Sequence, residues 1–354
     1  MPRRAVLPLL ACCLLAPPAH GAALAPASGQ TFHVATSGSN SNPGTEAAPW
    51  RTIQKALDTL RPGQRALVRG GTYVEDLEMR RAGTASRPIT VAARPGARPV
   101  LRSAGGHPLE VGSGGAYFRF AGFAITGHRG TSGGNVDVYG RHVELSRNIV
   151  RGGRDQGIYT AEESADVQIL RNRIHHNGKG IAHQSHGIYL QGDRHLVANN
   201  VIHDHPEGFG IQVYDEGSGS VIVHNTVVRS GHSGIVVGGS GGVDHVTIRN
   251  NIFAFNAHWG IQHDSDCPSA TVADHNVLFA NGDGRVQGGC RGLDTSGGNR
   301  ARSPRFVSLA RRNLHLRRGS AAIGAGVRAA GQRVDKDGER RPRGRPDAGA
   351  YEDG

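Results

Sequence analysis

Six times between residues 143 and 278 the chain writes an apolar alternation that runs into Asn and then turns apolar again: VELSRNIV, VQILRNRI, HLVANNVI, VIVHNTVV, VTIRNNIF and TVADHNVL. These segments place Asn148, Asn172, Asn200, Asn225, Asn251 and Asn276 at intervals of 24, 28, 25, 26 and 25 residues. A period of this size marks a stacked repeat architecture, and it outweighs the two-domain expectation that length alone would give. Between the Asn segments runs a second series, GIYTAE, GIYLQG, GIQVYD, GIVVGG and GIQHDS, beginning at Gly157, Gly187, Gly210, Gly234 and Gly260. Each period therefore holds two or three short strands and no helical pattern, which excludes βαβ units because those need an intervening helix.

The arrangement that keeps every strand in register is a coil in which each strand pairs with its equivalent one period later. The spacing predicts an all-β, single-stranded parallel β-helix in which Ile158, Ile188, Ile211, Ile235 and Ile261 form one inward column and Leu190, Val213 and Val237 the next. The recurring Asn fits a ladder of stacked amides inside a sharp turn, a structural role and not a catalytic one. Weaker coils precede the clear ones in RPITVAA, AYFRFAGFAIT and NVDVYG, so about eight coils are expected over residues 87–290. Solenoid ends expose strand edges and need covers. The helical spacing of Trp50, Ile53, Ala56, Leu57 and Leu60 supplies an N-terminal cap helix within an entry region, 26–86. An irregular closing segment and basic tail, 291–354, follow the coils.

At the start, Arg3 and Arg4 precede an apolar run from Ala5 to Ala16 and a small-residue site near Ala19, which reads as an export signal over residues 1–25. A lipoprotein site at Cys12 is disfavoured because the apolar run continues past it. No later segment approaches the roughly 18 apolar residues that a membrane span requires. A secreted or periplasmic, monomeric protein is expected. Its two remaining cysteines, Cys267 and Cys290, would sit in an oxidising compartment as a disulfide pair. The net charge of +12 resides in Arg, since Lys occurs only at 55, 179 and 336. That balance favours polyanionic partners. With export and no nucleic-acid motif, the expected partner is an acidic polysaccharide and not nucleic acid.

The chain resembles the bacterial right-handed β-helix proteins related to pectate lyases and other polysaccharide-active β-helices. The resemblance rests on the opening FHVATSGSNSNPGTEAAPWRTIQKAL with PGQRALVRGGTYVEDLEM, on the coils, and on the ending SPRFVSLARRNLHLRRGSAAIGAG with DKDGERRPRGRPDAGAYE. It implies an extracytoplasmic lyase, hydrolase, epimerase or glycan binder. None of the family's catalytic motifs transfers residue by residue.

Residues that flank an inward Ile point outward, which places Tyr159, Tyr189, Gln212, Val236 and Gln262 in one solvent column and Ala161, Gln191, Tyr214, Gly238 and Asp264 in another. Aromatic and amide side chains at coil spacing make a sugar-binding ledge, so Tyr159, Gln191, Gln212, Tyr214, Gln262 and Asp264 are the substrate-binding candidates. Beyond the strand ends, Glu163, Asp193, Glu216 and Asp266 align, with Asp215 adjacent. Stacked carboxylates repel, and Ca²⁺ would relieve them through Asp193, Asp215 and Glu216. The densest set of proton-transfer groups runs from Lys179 through His183 and His186 to Tyr189. A lyase or epimerase must remove the proton beside a uronate carboxylate and protonate the leaving oxygen. His186 and Tyr189 are the expected pair, with Lys179 an alternative base. A glycoside hydrolase would instead draw on Asp193, Asp215 and Asp264, and a binder without turnover is the third reading. His175, His176, His203 and His205 lack the alignment and the HExxH spacing of a zinc site.

Overall fold

The computed structural model describes residues 24–180, 184–239, 242–264 and 268–353. Within them three parallel sheets wrap one continuous core as a right-handed β-helix of nine coils, one more than the sequence suggests. Sheet A contains the strands that lead into each Asn, such as Leu196–Ala198 and Val221–Val223; sheet B contains those that follow it, such as Val201–His205 and Thr226–Ser230; sheet C contains the Gly-Ile strands, such as Ile188–Leu190 and Ile211–Val213. The first coil is Arg65–Val68, Thr72–Val74 and Leu77–Met79, ahead of residue 87 where the coils were expected to begin. Its strands are short and their alternation is interrupted by turns, so the period is invisible there.

The inward columns form as predicted. Ile158, Ile188, Ile211, Ile235 and Ile261 are direct register partners, as are Leu190, Val213 and Val237, and each is fully buried. Burial of one such side chain is worth about 1.5–3 kcal/mol against the entropy of ordering it. The six Asn make a continuous buried ladder. From Asn172 to Asn276 each Oδ1 accepts the backbone N–H of the Asn one coil earlier at 2.8–2.9 Å, and Asn148 Oδ1 accepts from Phe123 N–H at 3.0 Å. Asn299 continues the ladder one rung further, its Oδ1 accepting from Asn276 N–H at 2.9 Å.

A second buried polar column lies five residues after the first, in Asn177, His205, Ser230, Asn256 and Asn281. Asn256 Nδ2 donates to Asn281 Oδ1 at 2.9 Å, and Ser230 N–H donates to Asn256 Oδ1 at 3.0 Å. This column explains the glycine of every Gly-Ile. A Cβ at Gly187 would lie 2.7 Å from His205 Nε2, one at Gly234 2.9 Å from Asn256 Nδ2, and one at Gly210 2.3 Å from Val227 Cγ1 and 2.8 Å from the carbonyl of Gly234. Gly210→Ala is therefore expected to cost about 1–3 kcal/mol as an overpacked corner, read as a lowered denaturation midpoint.

The cap helix is Ile53–Thr59, shorter than the amphipathic pattern. Thr52 Oγ1 accepts from Lys55 N–H, and the Glu75 carboxylate accepts from Ile53 and Gln54 N–H at 3.0 Å each. At the other end the closing segment forms an antiparallel pair, Phe306–Ser308 with Asn313–Leu316, and then runs back along sheet B. Leu314, Leu316, Ala348, Ala350 and Tyr351 pack on Val201, Val228, Ile252, Ala254 and Val277. Much of the basic tail is thereby structural: Arg341 is buried and donates to Glu352 and to Asn199 Oδ1, and Arg312 donates to the buried carboxylate of Asp204. No helix among the described residues is long and apolar enough to cross a membrane.

Candidate active site

Sheet C and the loops that enter it enclose a cleft of about 540 Å³. Seven of the residues named from the sequence line it: Tyr159, His186, Tyr189, Gln212, Tyr214, Gln262 and Asp264. Their convergence follows from register, since Tyr159, Tyr189, Gln212, Val236 and Gln262 are successive partners in one outward column. Val236 is 3% exposed and forms cleft floor instead of open surface. The tyrosines make one row over four coils, with ring centroids 6.3 Å apart from Tyr139 to Tyr159, 5.6 Å from Tyr159 to Tyr189 and 6.4 Å from Tyr189 to Tyr214. Gln191 stands behind this row, where its Oε1 accepts from Tyr159 O–H at 2.7 Å, so it orients a wall residue and does not line the cleft.

His186 is buried, and burial lowers its pKa to about 3. Its Nδ1 accepts from Phe209 N–H at 3.1 Å, which leaves Nε2 to carry the proton. Its ring stands edge-on to Tyr189 at 5.7 Å. The bond from Phe209 occupies the Nδ1 lone pair and burial keeps the ring neutral, so His186 presents Nε2–H as a donor beside Tyr189. Lys179 is exposed and is not among the described cleft-lining residues. His183 and Cys267 lie outside the described residues, as do Asp266 and residues 1–23, nearly all of the expected export signal; Cys290 is disulfide-bonded.

The cleft also holds a carboxyl that the sequence pattern does not single out. Asp155 lines the cleft in the loop that enters sheet C, is 5% exposed, and has its pKa raised to about 6 by burial. Gln156 Nε2 donates to Asp155 Oδ1 at 3.0 Å, and Gln156 Oε1 accepts from His186 N–H, which ties the carboxyl to the His186 turn. Burial also pushes Tyr159 up to about 12 and Tyr189 higher still, so both remain protonated donors across the working pH range. No Lys or Arg is among the lining residues. Toward the first coils the same outward column continues as Asp137, Glu110 and Glu78. Asp137 is buried against His107 at 2.6 Å, and that contact pushes His107 up to about 9.

The proposed calcium ligands do not converge. Asp193 and Glu216 are exposed, Asp193 faces Arg194 at 3.5 Å, and Asp215 and Glu216 occupy left-handed turn positions at φ 31° and 61°. Among the described residues the group of metal-type ligand atoms found within 4.8 Å of one another is His176, His203 and Asp204. Those atoms are already occupied. His203 Nδ1 pairs with Asp204 at 2.7 Å, His203 Nε2 accepts from Arg173, and Asp204 accepts from Arg229 and Arg312. Three guanidinium groups there repel a cation and make the cluster a tie between coil and tail. The residues present thus do not fit a preformed calcium site.

A nine-coil parallel solenoid with a tyrosine-walled cleft on one sheet places the protein in the class of right-handed β-helices that carry their site on the outside of the stack. The model described as "Pel9A-like, right handed beta helix region" matches residues 32–222, more than half of the chain, and a general right-handed β-helix model matches residues 181–303. The chain belongs to the Pel9A-like right-handed β-helix family. Pectate lyase Pel9A superposes with a TM-score of 0.67 at 17% identity, covering 93% of this chain and 98% of that one. XylC in complex with xylose superposes at 0.63 with 12% identity, over 77% and 70% of the two chains. The lacto-N-biosidase of Eubacterium ramulus superposes at 0.56 with 13% identity, over 77% and 67%. An uncharacterized protein of Bacillus subtilis (strain 168), YwoF, is 38% identical over 63 residues, 18% of this chain and 14% of that protein. At these identities the superpositions speak for the fold.

Proposed function

We propose that this protein is an exported polysaccharide lyase or epimerase that holds a uronate polymer along sheet C and moves its protons with Asp155 and Tyr189. The observation that carries the reading is a single cleft in which a buried carboxyl, with its pKa near 6, faces phenols that stay protonated. Asp155 as carboxylate removes the proton beside the sugar's carboxylate group. The electron pair then expels the bridging oxygen, which takes its proton from Tyr189. In an epimerase the same phenol instead returns a proton to the opposite face of the carbon. The amides of Gln212 and Gln262 and the neutral Nε2–H of His186 are the donors available to the developing charge. Membership of the Pel9A-like family and the likeness to pectate lyase Pel9A support this chemistry over others.

The missing Lys and Arg in the cleft lining favour one second reading, glycoside hydrolysis of an uncharged glycan. Asp155 and Asp264 sit four coils apart, roughly 19 Å at sheet spacing, too far to flank one bond. Asp215 and Asp264 sit two coils apart, about 10 Å by the same spacing, near the inverting separation. A uronate panel separates the readings. Ultraviolet absorbance from an unsaturated sugar is expected; reducing ends without that absorbance, on xylan or another neutral glycan alone, would replace elimination with hydrolysis.

A further inference from the structure

The face of the solenoid formed by sheet A carries a groove of about 1000 Å³ that has no part in the cleft on sheet C. Its floor is an outward column of small and aliphatic side chains in direct register, Leu67, Ala92, Ala121, Ser146 and Leu170, which reaches Val223 two coils further on, beside a second column that holds Leu196 and Val221. From Leu67 to Thr247 the lining covers eight coils, roughly 34 Å at sheet spacing. The far wall is the closing segment 328–334. Seven arginines line the groove, against one carboxylate, Glu144.

Some of that charge is neutralised. Arg119 pairs with Glu144 at 2.9 Å and Arg249 pairs with Asp274. Arg65, Arg147, Arg171, Arg328 and Arg333 are within ion-pair distance of no carboxylate among the described residues, and Arg65 donates to Thr31 Oγ1. Arg147 and Arg171 occupy the same left-handed turn position, φ 56°, on consecutive coils, close enough for the Arg147 charge to act on Arg171. Like charges held at this spacing are unfavourable unless an anion bridges them. Arg328 and Arg333 are shared with an adjoining hollow of about 600 Å³ lined also by Arg340 and Arg343, which extends the positive track onto the tail.

We infer that the sheet A groove is a second glycan site, a binding track for a uronate-bearing polysaccharide that is separate from the cleft on sheet C. Sugar rings would lie on the flat aliphatic floor while their carboxylates meet the guanidinium groups at its edge. Guanidinium groups suit carboxylates through paired N–H donors. No Phe, Tyr or Trp lines the groove, and a single-stranded nucleic acid needs such stacking platforms. The inference does not depend on sheet C being catalytic, because it concerns binding alone.

The test is titration of the purified protein with a hexuronate oligosaccharide, with its methyl-esterified form, and with an oligothymidylate of equal length. The acidic oligosaccharide is expected to bind and to weaken as salt is raised, and the ester to bind at least tenfold less well. R147S/R171S is expected to weaken binding about tenfold for two lost charge-assisted contacts. Should R147S/R171S melt below the parent because Arg171 is half-buried, R147S/R328S changes only exposed residues and makes the same prediction. Equal binding of the ester, parent-like binding by the folded double variants, or tighter binding of the oligothymidylate would each overturn the inference.

Discussion

Asn225→Ala is expected to destabilise the protein by about 3–5 kcal/mol, a loss on the scale of a whole domain's stability. The Asn225 side chain accepts from Asn200 N–H at 2.9 Å and from Asn200 Nδ2 at 3.0 Å, and donates to Val197 O at 2.8 Å and to Asn251 Oδ1 at 3.0 Å. Alanine removes these four bonds and a fifth, to Val223 O at 3.2 Å, and leaves the buried backbone N–H of Asn200 without this acceptor. The damage should propagate, because each coil of a solenoid is held by its neighbours and the middle of the ladder joins two halves. Asn225→Asp should be at least as harmful, since an ionised carboxylate keeps the acceptors, loses the donors and buries a charge. Guanidinium denaturation read at two wavelengths checks this. A midpoint within about 1 kcal/mol of the parent would mean that the turns are held by packing alone.

Asp155→Asn is expected to lower turnover on the uronate polymer by about a thousandfold, within the range for loss of a general base. It should leave substrate affinity nearly intact because the amide preserves shape. The pH dependence sharpens the expectation. The parent's rate should rise through an ascending limb near pH 6, where the Asp155 carboxyl ionises, and the residual rate of the variant should lack that limb. Stability should move the other way. A carboxyl whose folded pKa is raised from 3.8 to about 6 binds more protons folded than unfolded across that window, so stability falls as pH rises from about 4 to 6 and stays reduced above it. The amide has no such penalty, and Asp155→Asn should melt higher than the parent at neutral pH. A variant that is both less active and less stable at pH 7 would instead mark Asp155 as a structural residue.

The sheet C cleft was legible as far as periodicity reaches. Tyr159, Tyr189 and Gln212 share an offset from the Gly-Ile repeat, so counting alone put them in one row. Asp155 was not legible, because it sits in the loop between sheets B and C, whose length changes from coil to coil and which has no repeating residue to align it. The nearest signal was Gln156, the residue before the first Gly-Ile, at the position that His186 holds one coil later. The second polar ladder escaped for a related reason: Asn177, His205, Ser230, Asn256 and Asn281 do the same task with three residue types, so no single letter recurs. His186 is at the cleft, as its offset from Gly-Ile suggests, but the bond that occupies its Nδ1 comes from the backbone of Phe209, one coil further on, which no spacing in the sequence shows.

By itself the sequence determined that the chain coils, with which residues inward and in what register. An Asn ladder and an Ile column satisfy backbone and core identically at every turn, and such a demand must repeat in the letters. The tertiary structure alone decided where charge is tolerated. Whether a carboxyl is lifted toward pH 6, a histidine kept neutral or five arginines left without a carboxylate along one groove depends on desolvation and on neighbours brought in from other coils and from the returning tail, and those distances obey no period.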